Sequence, residues 1–82
     1  MPKTFDEWVG FRIIVMRTLK RLTQVDLADA CLVPLRDVVH WESGTKSVKA
    51  QDLARLSVAL DTSPNHLLGF KGDPSDLEHD HG

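Results

Sequence analysis

Cysteine is nearly absent from this chain, which has one, Cys31, among its 82 residues. A single cysteine cannot form a disulfide within the chain, and free thiols are typical of a reducing cytoplasm. We expect Cys31 to be a small buried apolar residue at the end of a helix. The sequence also lacks an apolar run of about 18 residues, the length that a membrane-spanning helix requires. Its first residues, MPKTFDEW, do not show the basic and then apolar pattern of a secretion signal. We therefore expect a cytoplasmic protein.

The residue patterns that carry catalysis are also missing. The chain has no glycine-rich phosphate loop, no nucleophile elbow and no arrangement of paired carboxylates. The closest spacing of metal-ligand residues is His79-Asp80-His81, which lies near the C-terminus without a predicted rigid scaffold. We therefore predict that the protein has no enzyme activity, no cofactor and no specific metal site.

An excess of positive charge, which marks many nucleic-acid binders, is absent from the chain as a whole, whose formal net charge is −2. The charge is unevenly distributed, however. Four acids and no Lys or Arg follow Gly72, so residues 1–72 hold ten bases against eight acids and carry +2. We predict one domain over residues 1–71 and an acidic, disordered tail over residues 72–82. The small positive charge of the domain predicts moderate affinity for DNA with a clear salt dependence.

The stretch of residues 22–44, LTQVDLADACLVPLRDVVHWESG, predicts two short helices joined by a tight turn. Thr23 suits the N-cap of the first helix, and Pro34 suits the first turn of the second, where an N–H has no partner within the helix. Val38 and Trp41 are three residues apart and therefore share one face of the second helix. The glycine that closes the stretch fits a helix C-terminus, because glycine readily adopts the left-handed conformation.

This stretch resembles the Cro/C1-type helix-turn-helix family, the lambda-repressor-like (XRE) DNA-binding domains. The matches to the family's pattern are Thr23-Gln24, Leu27-Ala28, Val33, Val38 and Trp41-Glu42-Ser43-Gly44. The resemblance extends over both flanks, from about Val9 to Phe70, and it implies an all-α domain of five helices. Two positions depart from the pattern. Leu32 stands in the turn where the family usually has Gly, at a cost of about 1 kcal/mol for the left-handed conformation. Pro34 stands where the family usually has Ser or Thr.

Apolar spacing outside this stretch predicts the other three helices. The first runs from about residue 4 to residue 21, the fourth covers about 49–60, and Ser63-Pro64 begins a short fifth helix. Their predicted inward-facing residues are Val9, Ile13 and Met16 in the first helix, Leu53, Leu56 and Leu60 in the fourth, and Leu67 and Leu68 in the fifth.

The resemblance also implies which residues contact DNA. In the family, the N-terminal half of the second motif helix enters the major groove. By this resemblance, four residues are expected to contact base edges: Leu35, Arg36, Val39 and His40. Six others are expected to contact phosphates: Gln24, Pro34, Thr45, Lys46, Ser47 and Lys49. Arg36 is the leading candidate for reading guanine, whose two acceptors match a guanidinium; the alternative is that Arg36 contacts only phosphate or solvent. A structural ion pair between Arg17 and Glu42 is implied as well, with two solvated charges as the alternative.

These features favour one function and leave two others open. We expect a transcriptional repressor that binds operator DNA sequence-specifically as a dimer, and that is associated with the nucleoid. The first alternative is a protein-interaction module on the same fold with weak or no operator binding, which Leu35, Asp37 and the small positive charge motivate. The second is an antitoxin-like protein that binds both a protein partner and its own promoter.

The first predicted helix is more hydrophobic than its core-facing stripe requires. A second stripe, Trp8, Phe11, Val15 and Leu19, recurs at helical spacing and points away from the first by a large angle. One hypothesis is that this stripe contacts a second subunit or a protein partner. The alternative is that the N-terminal residues fold back and complete a local core around Trp8 or Phe11.

Overall fold

The structure is a computed structural model that describes residues 2–69. Over this range its secondary structure is helical, with α1 (Phe5–Leu19), α2 (Gln24–Cys31), α3 (Leu35–Ser43), α4 (Ala50–Ala59) and α5 (Pro64–Leu67). The expected all-α class with five helices is confirmed. None of these helices combines the length and the apolar character that crossing a membrane would require. The predicted acidic tail over residues 72–82 and the His79-Asp80-His81 spacing lie outside the described residues.

Side-chain caps fix the beginnings of three helices. At α1, the Thr4 hydroxyl accepts a bond from the Glu7 N–H at 3.1 Å, and the Glu7 carboxylate accepts one from the Thr4 N–H at 3.0 Å. Thr23 and Asp26 form the same reciprocal capping box at α2, with distances of 3.0 and 2.9 Å. Ser63 caps α5 as expected, with Pro64 in its first turn. These caps satisfy N–H groups that have no partner within the helix, so the helices begin where the sequence places them.

Two helix boundaries differ from the sequence-based prediction. α1 ends at Leu19 and not near residue 21, because Arg21 adopts a left-handed φ of 60°. Pro34 is the N-cap of α3 and not its first helical residue, since its ψ of 149° is extended and the helix begins at Leu35. A proline side chain offers no hydrogen-bond acceptor, so α3 begins without a side-chain cap.

Leu32 occupies the turn between α2 and α3 in the left-handed conformation, with φ 59° and ψ 42°. The turn is closed by bonds from the Leu32 N–H to the Asp29 carbonyl at 3.2 Å and from the Val33 N–H to the Ala28 carbonyl at 3.1 Å. The Leu32 side chain is 81% exposed. It therefore gains little from burial, and the backbone strain at this position is not offset by packing.

The core lies where α1, α2, α3, α4 and α5 meet. Its largest fully buried side chains are Trp41, Ile13, Leu27, Leu56, Leu67, Val38 and Cys31. Three residues that the sequence predicts to face inward are only partly buried against this core: Met16, Leu53 and Leu68. Burial raises the pKa of the Cys31 thiol, consistent with a packing role for this residue.

α1 lies very close to the C-terminal half of α3. A Cβ added to Gly10 would lie under 3.0 Å from the carbonyl oxygens of both Trp41 and Glu42, so only glycine fits there. Gly44, at the end of α3, has a φ of +78° and lies directly against Glu7 in the first turn of α1. α1 therefore packs closely against α3. The side of α1 that faces away from α3 lies outside the core.

That opposite face carries the second apolar stripe, Trp8, Phe11, Val15 and Leu19, which we call the outer stripe. Its side chains remain between 39% and 78% exposed. Trp8 and Phe11 stack on each other with ring centroids 6.0 Å apart, and Trp8 also lies against Gly69. The described chain thus covers the outer stripe only in part.

Candidate nucleic-acid interface

The outer face of α3 presents a row of side chains to solvent near the beginning of the helix. Leu35 is 43% exposed and Val39 is 38% exposed, and Arg36 and His40 are also exposed. Among residues 2–69, no hydrogen bond or ion pair engages the side chain of Arg36 or of His40. The fold therefore brings together all four residues that the sequence predicts at base edges and leaves their side chains free.

The first turn of α3 also presents backbone donors. The Asp37 N–H donates to the Pro34 carbonyl at 3.0 Å, but no side chain caps the N–H groups ahead of it. Free N–H groups at a helix N-terminus, together with the positive end of the helix dipole, bind phosphate oxygens well. The absence of a capping side chain at Pro34 thus leaves this helix start open to an anion.

Asp37 and Lys46 form an ion pair that the sequence does not reveal. The Lys46 ammonium lies 2.8 Å from the Asp37 carboxylate, although nine positions separate the two residues along the chain. The hydrogen bond from Lys46 lowers the pKa of Asp37, and the positive charges of Lys46 and Arg36 act in the same direction. Lys46 remains partly exposed, so its predicted phosphate contact would compete with Asp37. The pair also offsets the negative charge of Asp37 on the helix that carries the residues predicted at base edges.

Gln24 is tied to the buried carboxylate of Glu42. Its amide donates to Glu42 Oε1 at 2.9 Å, while Arg17 Nε lies 2.6 Å from Glu42 Oε2 and Arg17 Nη2 lies 3.1 Å from Oε1. A further bond from Arg17 reaches the Leu22 carbonyl at 2.9 Å. The pairing of Arg17 with Glu42 that the resemblance implies is therefore present, as a two-point contact. It links α1, the start of α2 and the end of α3. Because the Gln24 amide already donates to Glu42, only its other N–H is left for the predicted phosphate contact.

The loop after α3 holds the other residues predicted at phosphates. The Thr45 hydroxyl lies 2.9 Å from that of Ser43, and the Ser47 hydroxyl donates to the Asp6 carboxylate at 2.6 Å. Lys49 is exposed and is the N-cap residue of α4 without a side-chain bond. The Ser47 bond holds the loop against α1, and it was not foreseeable from sequence because it joins residues 41 positions apart.

The arrangement as a whole defines a helix-turn-helix domain, with α2 and α3 as the motif and α3 as the exposed recognition helix. The profile of the Helix-turn-helix family matches residues 13–67, about two thirds of the chain. The chain therefore belongs to the Cro/C1-type (XRE) helix-turn-helix family, and it is a non-enzymatic DNA-binding transcription regulator.

Two solved structures are similar to this chain. The restriction-modification controller protein C.AhdI from Aeromonas hydrophila is 32% identical with a TM-score of 0.70, over 72% of this chain and 89% of its own. The clp gene regulator ClgR from C. glutamicum is 28% identical with a TM-score of 0.76, over 82% of this chain and 87% of its own. No curated protein sequence gave a significant match.

Proposed function

We propose that this protein is a transcriptional repressor that binds operator DNA as a homodimer and reads base edges with the outer face of α3. The observation that carries the proposal is the row of exposed side chains at the start of α3, where Arg36 has no partner among the described residues. An arginine in the major groove donates two bonds to guanine, while Leu35 and Val39 suit the methyl group of thymine. His40 completes the row as a donor to a base or a phosphate.

Phosphate contacts would hold α3 in register on the duplex. The open N-terminus of α3 after Pro34 supplies backbone N–H groups, and Lys49 supplies a charge without a described partner. Thr45 and Ser47 lie on the same loop, and Lys46 would contribute to the extent that a phosphate draws it from Asp37. Gln24 would use the amide hydrogen that it does not donate to Glu42.

A two-fold dimer would present two copies of α3 to successive major grooves. Its operator would therefore be a palindrome with half-sites about 34 Å apart, one helical turn of DNA. Repression follows if that site overlaps a promoter, because the bound dimer then excludes RNA polymerase. Such a protein would be associated with the nucleoid. The names of the two similar structures, both regulators, support a role in controlling transcription.

Selection of binding sites from random duplexes, followed by salt titration, tests this proposal. We expect a palindromic site, with an affinity that falls steeply as salt rises, because bound lysine and arginine side chains release counterions. Weak, unselective binding at low salt would contradict operator recognition.

The second candidate is a protein-interaction module on the same fold, which the exposed outer stripe on α1 favours. It predicts little or no binding to any duplex at low salt, which the same titration measures. The acidic Asp37 is one of the features that motivate this candidate. The structure weakens that argument, because Lys46 offsets the charge of Asp37.

A further inference from the structure

The loop between α3 and α4 (residues 44–49) is bonded to carboxylates on two different helices. The Lys46 ammonium lies 2.8 Å from the Asp37 carboxylate on α3, and the Ser47 hydroxyl donates to the Asp6 carboxylate on α1 at 2.6 Å. Lys46 and Ser47 are both among the residues predicted at phosphates. Carboxylate and phosphate oxygens are similar acceptors for such donors. In the described structure, internal anions therefore occupy two donors that DNA phosphates would use.

The backbone of the loop keeps Lys46 beside Asp37. The N–H groups of Thr45 and Lys46 both donate to the His40 carbonyl, at 3.0 and 3.3 Å. The bond from Ser47 to α1 holds the residue that follows Lys46. Because the backbone is fixed on both sides of Lys46, the ammonium leaves Asp37 through rotation of its own side chain.

The pair is partly shielded from water. The side chain of Asp37 is 19% exposed and that of Lys46 is 39% exposed. The hydrogen bond from Lys46 lowers the pKa of Asp37, so the carboxylate is charged at neutral pH. Pairs with this much access to solvent favour the paired over the separated side chains by about two- to fivefold. Asp37 thus holds Lys46 with a strength comparable to that of one phosphate contact.

We infer that Asp37 competes with DNA phosphates for Lys46 and thereby lowers the affinity of the protein for DNA of any sequence. The inference rests on the DNA-binding face of the proposed function. A phosphate that approaches Lys46 has to displace Asp37 first, so most of what this lysine could contribute is lost. Asp37 is therefore a positioning residue that acts through Lys46.

Lys49 provides the contrast within the same loop. The resemblance places both lysines at phosphates, but Lys49 is exposed and makes no described side-chain bond. A phosphate can reach it without breaking an internal contact. The structure thus separates two lysines that the sequence treats alike, and it assigns the larger contribution to Lys49.

The competition affects affinity more than sequence reading. Phosphate contacts supply the non-specific part of DNA binding, whereas contacts to base edges carry the sequence information. Arg36 has no described side-chain partner, so reading by this residue does not require the pair to break. The pair of Asp37 with Lys46 therefore limits how much of the protein random DNA retains.

Simple repulsion between Asp37 and the phosphates is a separate effect, and a double-mutant cycle distinguishes the two. Repulsion would act equally with and without Lys46. Competition requires Lys46, so removing the Asp37 charge should strengthen DNA binding more when Lys46 is present than when it is absent.

Fluorescence anisotropy of the full-length protein on a random-sequence duplex, between about 50 and 200 mM salt, tests the inference. Lys49→Ala should weaken binding by about threefold or more and reduce the salt slope by about 1. In the wild-type background, Lys46→Ala should weaken binding by less than about twofold and change the slope much less. In the Asp37→Asn background, Lys46→Ala should have the full effect of Lys49→Ala. Circular dichroism checks that each variant is folded.

Three outcomes would overturn the inference. The first is a loss for Lys46→Ala in the wild-type background that equals the loss for Lys49→Ala. This comparison leaves Asp37 in place, so it is decisive even if Asp37→Asn fails to fold. The second is an Asp37→Asn change that tightens binding by the same factor with and without Lys46. The third is a Lys46→Ala change that has no effect in the Asp37→Asn background.

The proposed function fails on a different result. A wild type that selects no operator from random duplexes counts against operator recognition, while the cycle on random duplex still measures the competition for Lys46. Conversely, additive effects of Asp37 and Lys46 would reject the competition and leave base reading by Arg36 untouched.

Discussion

At the scale of single residues, the DNA-binding candidates divide according to what their side chains already bond. Arg36 and His40 have no described side-chain partner, whereas Gln24 bonds to Glu42 and Lys46 bonds to Asp37. The side chains predicted at base edges are thus free to bond to a base, since no internal partner has to be displaced first. Lys49, predicted at a phosphate, also has no described side-chain bond. The engaged side chains help to fix the position of α3, so we expect them to affect DNA binding through the orientation of that helix as well as through the proposed phosphate contacts.

Asp37 provides a test of the pair with Lys46 through pH. Its pKa in the folded protein is lowered from about 3.8, so the carboxylate stabilises the fold above that pH. This stability is lost as the pH falls below 3.8 toward the folded-state value. Asp37→Asn should therefore lose less stability than the wild type between pH 5 and pH 2, as measured by urea unfolding. If Asp37→Asn retains the full wild-type dependence, the ion pair does not persist in solution.

At the scale of elements, the turn between α2 and α3 contains a strained backbone conformation. Its left-handed position holds Leu32, whose side chain is in solvent. Leu32→Gly should stabilise the protein by up to about 1 kcal/mol, because glycine takes this conformation without strain. Leu32→Ala is the matched control, since it removes the side chain and keeps the strain. Thermal unfolding measures both variants, and equal midpoints for the two would show that strain at this position is negligible.

The close contact between α1 and α3 predicts that replacing Gly10 with a larger residue lowers the stability of the protein. In an unconstrained helix, alanine is more stable than glycine by about 0.5–1 kcal/mol. Gly10→Ala should instead destabilise the protein by about 1–3 kcal/mol, because the new Cβ would overlap the Trp41 and Glu42 carbonyl oxygens. Thr18→Ala, at an exposed position of α1, should change stability by no more than about 0.5 kcal/mol. Denaturant unfolding that shows Gly10→Ala to be stabilising would mean that the helices are further apart than described.

The elements were predictable from sequence where a local signal determines them. Thr23 and Ser63 cap their helices because the bonds close within three residues, and the apolar spacing of α1 and α4 locates most of the core. The ion pair of Asp37 with Lys46 and the bond of Gln24 to Glu42 were not predicted. Both depend on how the chain returns through a turn, and residue spacing along one helix contains no information about that. The close approach at Gly10 depends on which helix packs there, and a glycine within a helix does not by itself identify that neighbour.

At the scale of the whole molecule, two surfaces lie on opposite sides of α1. The α3 face carries the side chains predicted to read DNA, and the outer stripe carries exposed apolar side chains that the proposed reading does not use. The chain as a whole carries a formal charge of −2, which gives little non-specific attraction to DNA. We therefore expect base contacts, and in the proposed dimer the presence of two subunits on one site, to add to the salt-dependent affinity that phosphate contacts supply.

The most direct measurement of whether α3 reads DNA compares Arg36→Ala with Arg55→Ala on two duplexes, a selected operator and a random sequence. Arg55 is an exposed arginine on α4 and controls for the loss of one positive charge. We predict that Arg36→Ala weakens operator binding by about 1–3 kcal/mol and random binding much less, because a lost bidentate contact to guanine affects only the specific site. Arg55→Ala should affect both duplexes slightly and equally. Equal losses on both duplexes for Arg36→Ala, or no loss on either, would contradict base reading by Arg36 on the face of α3.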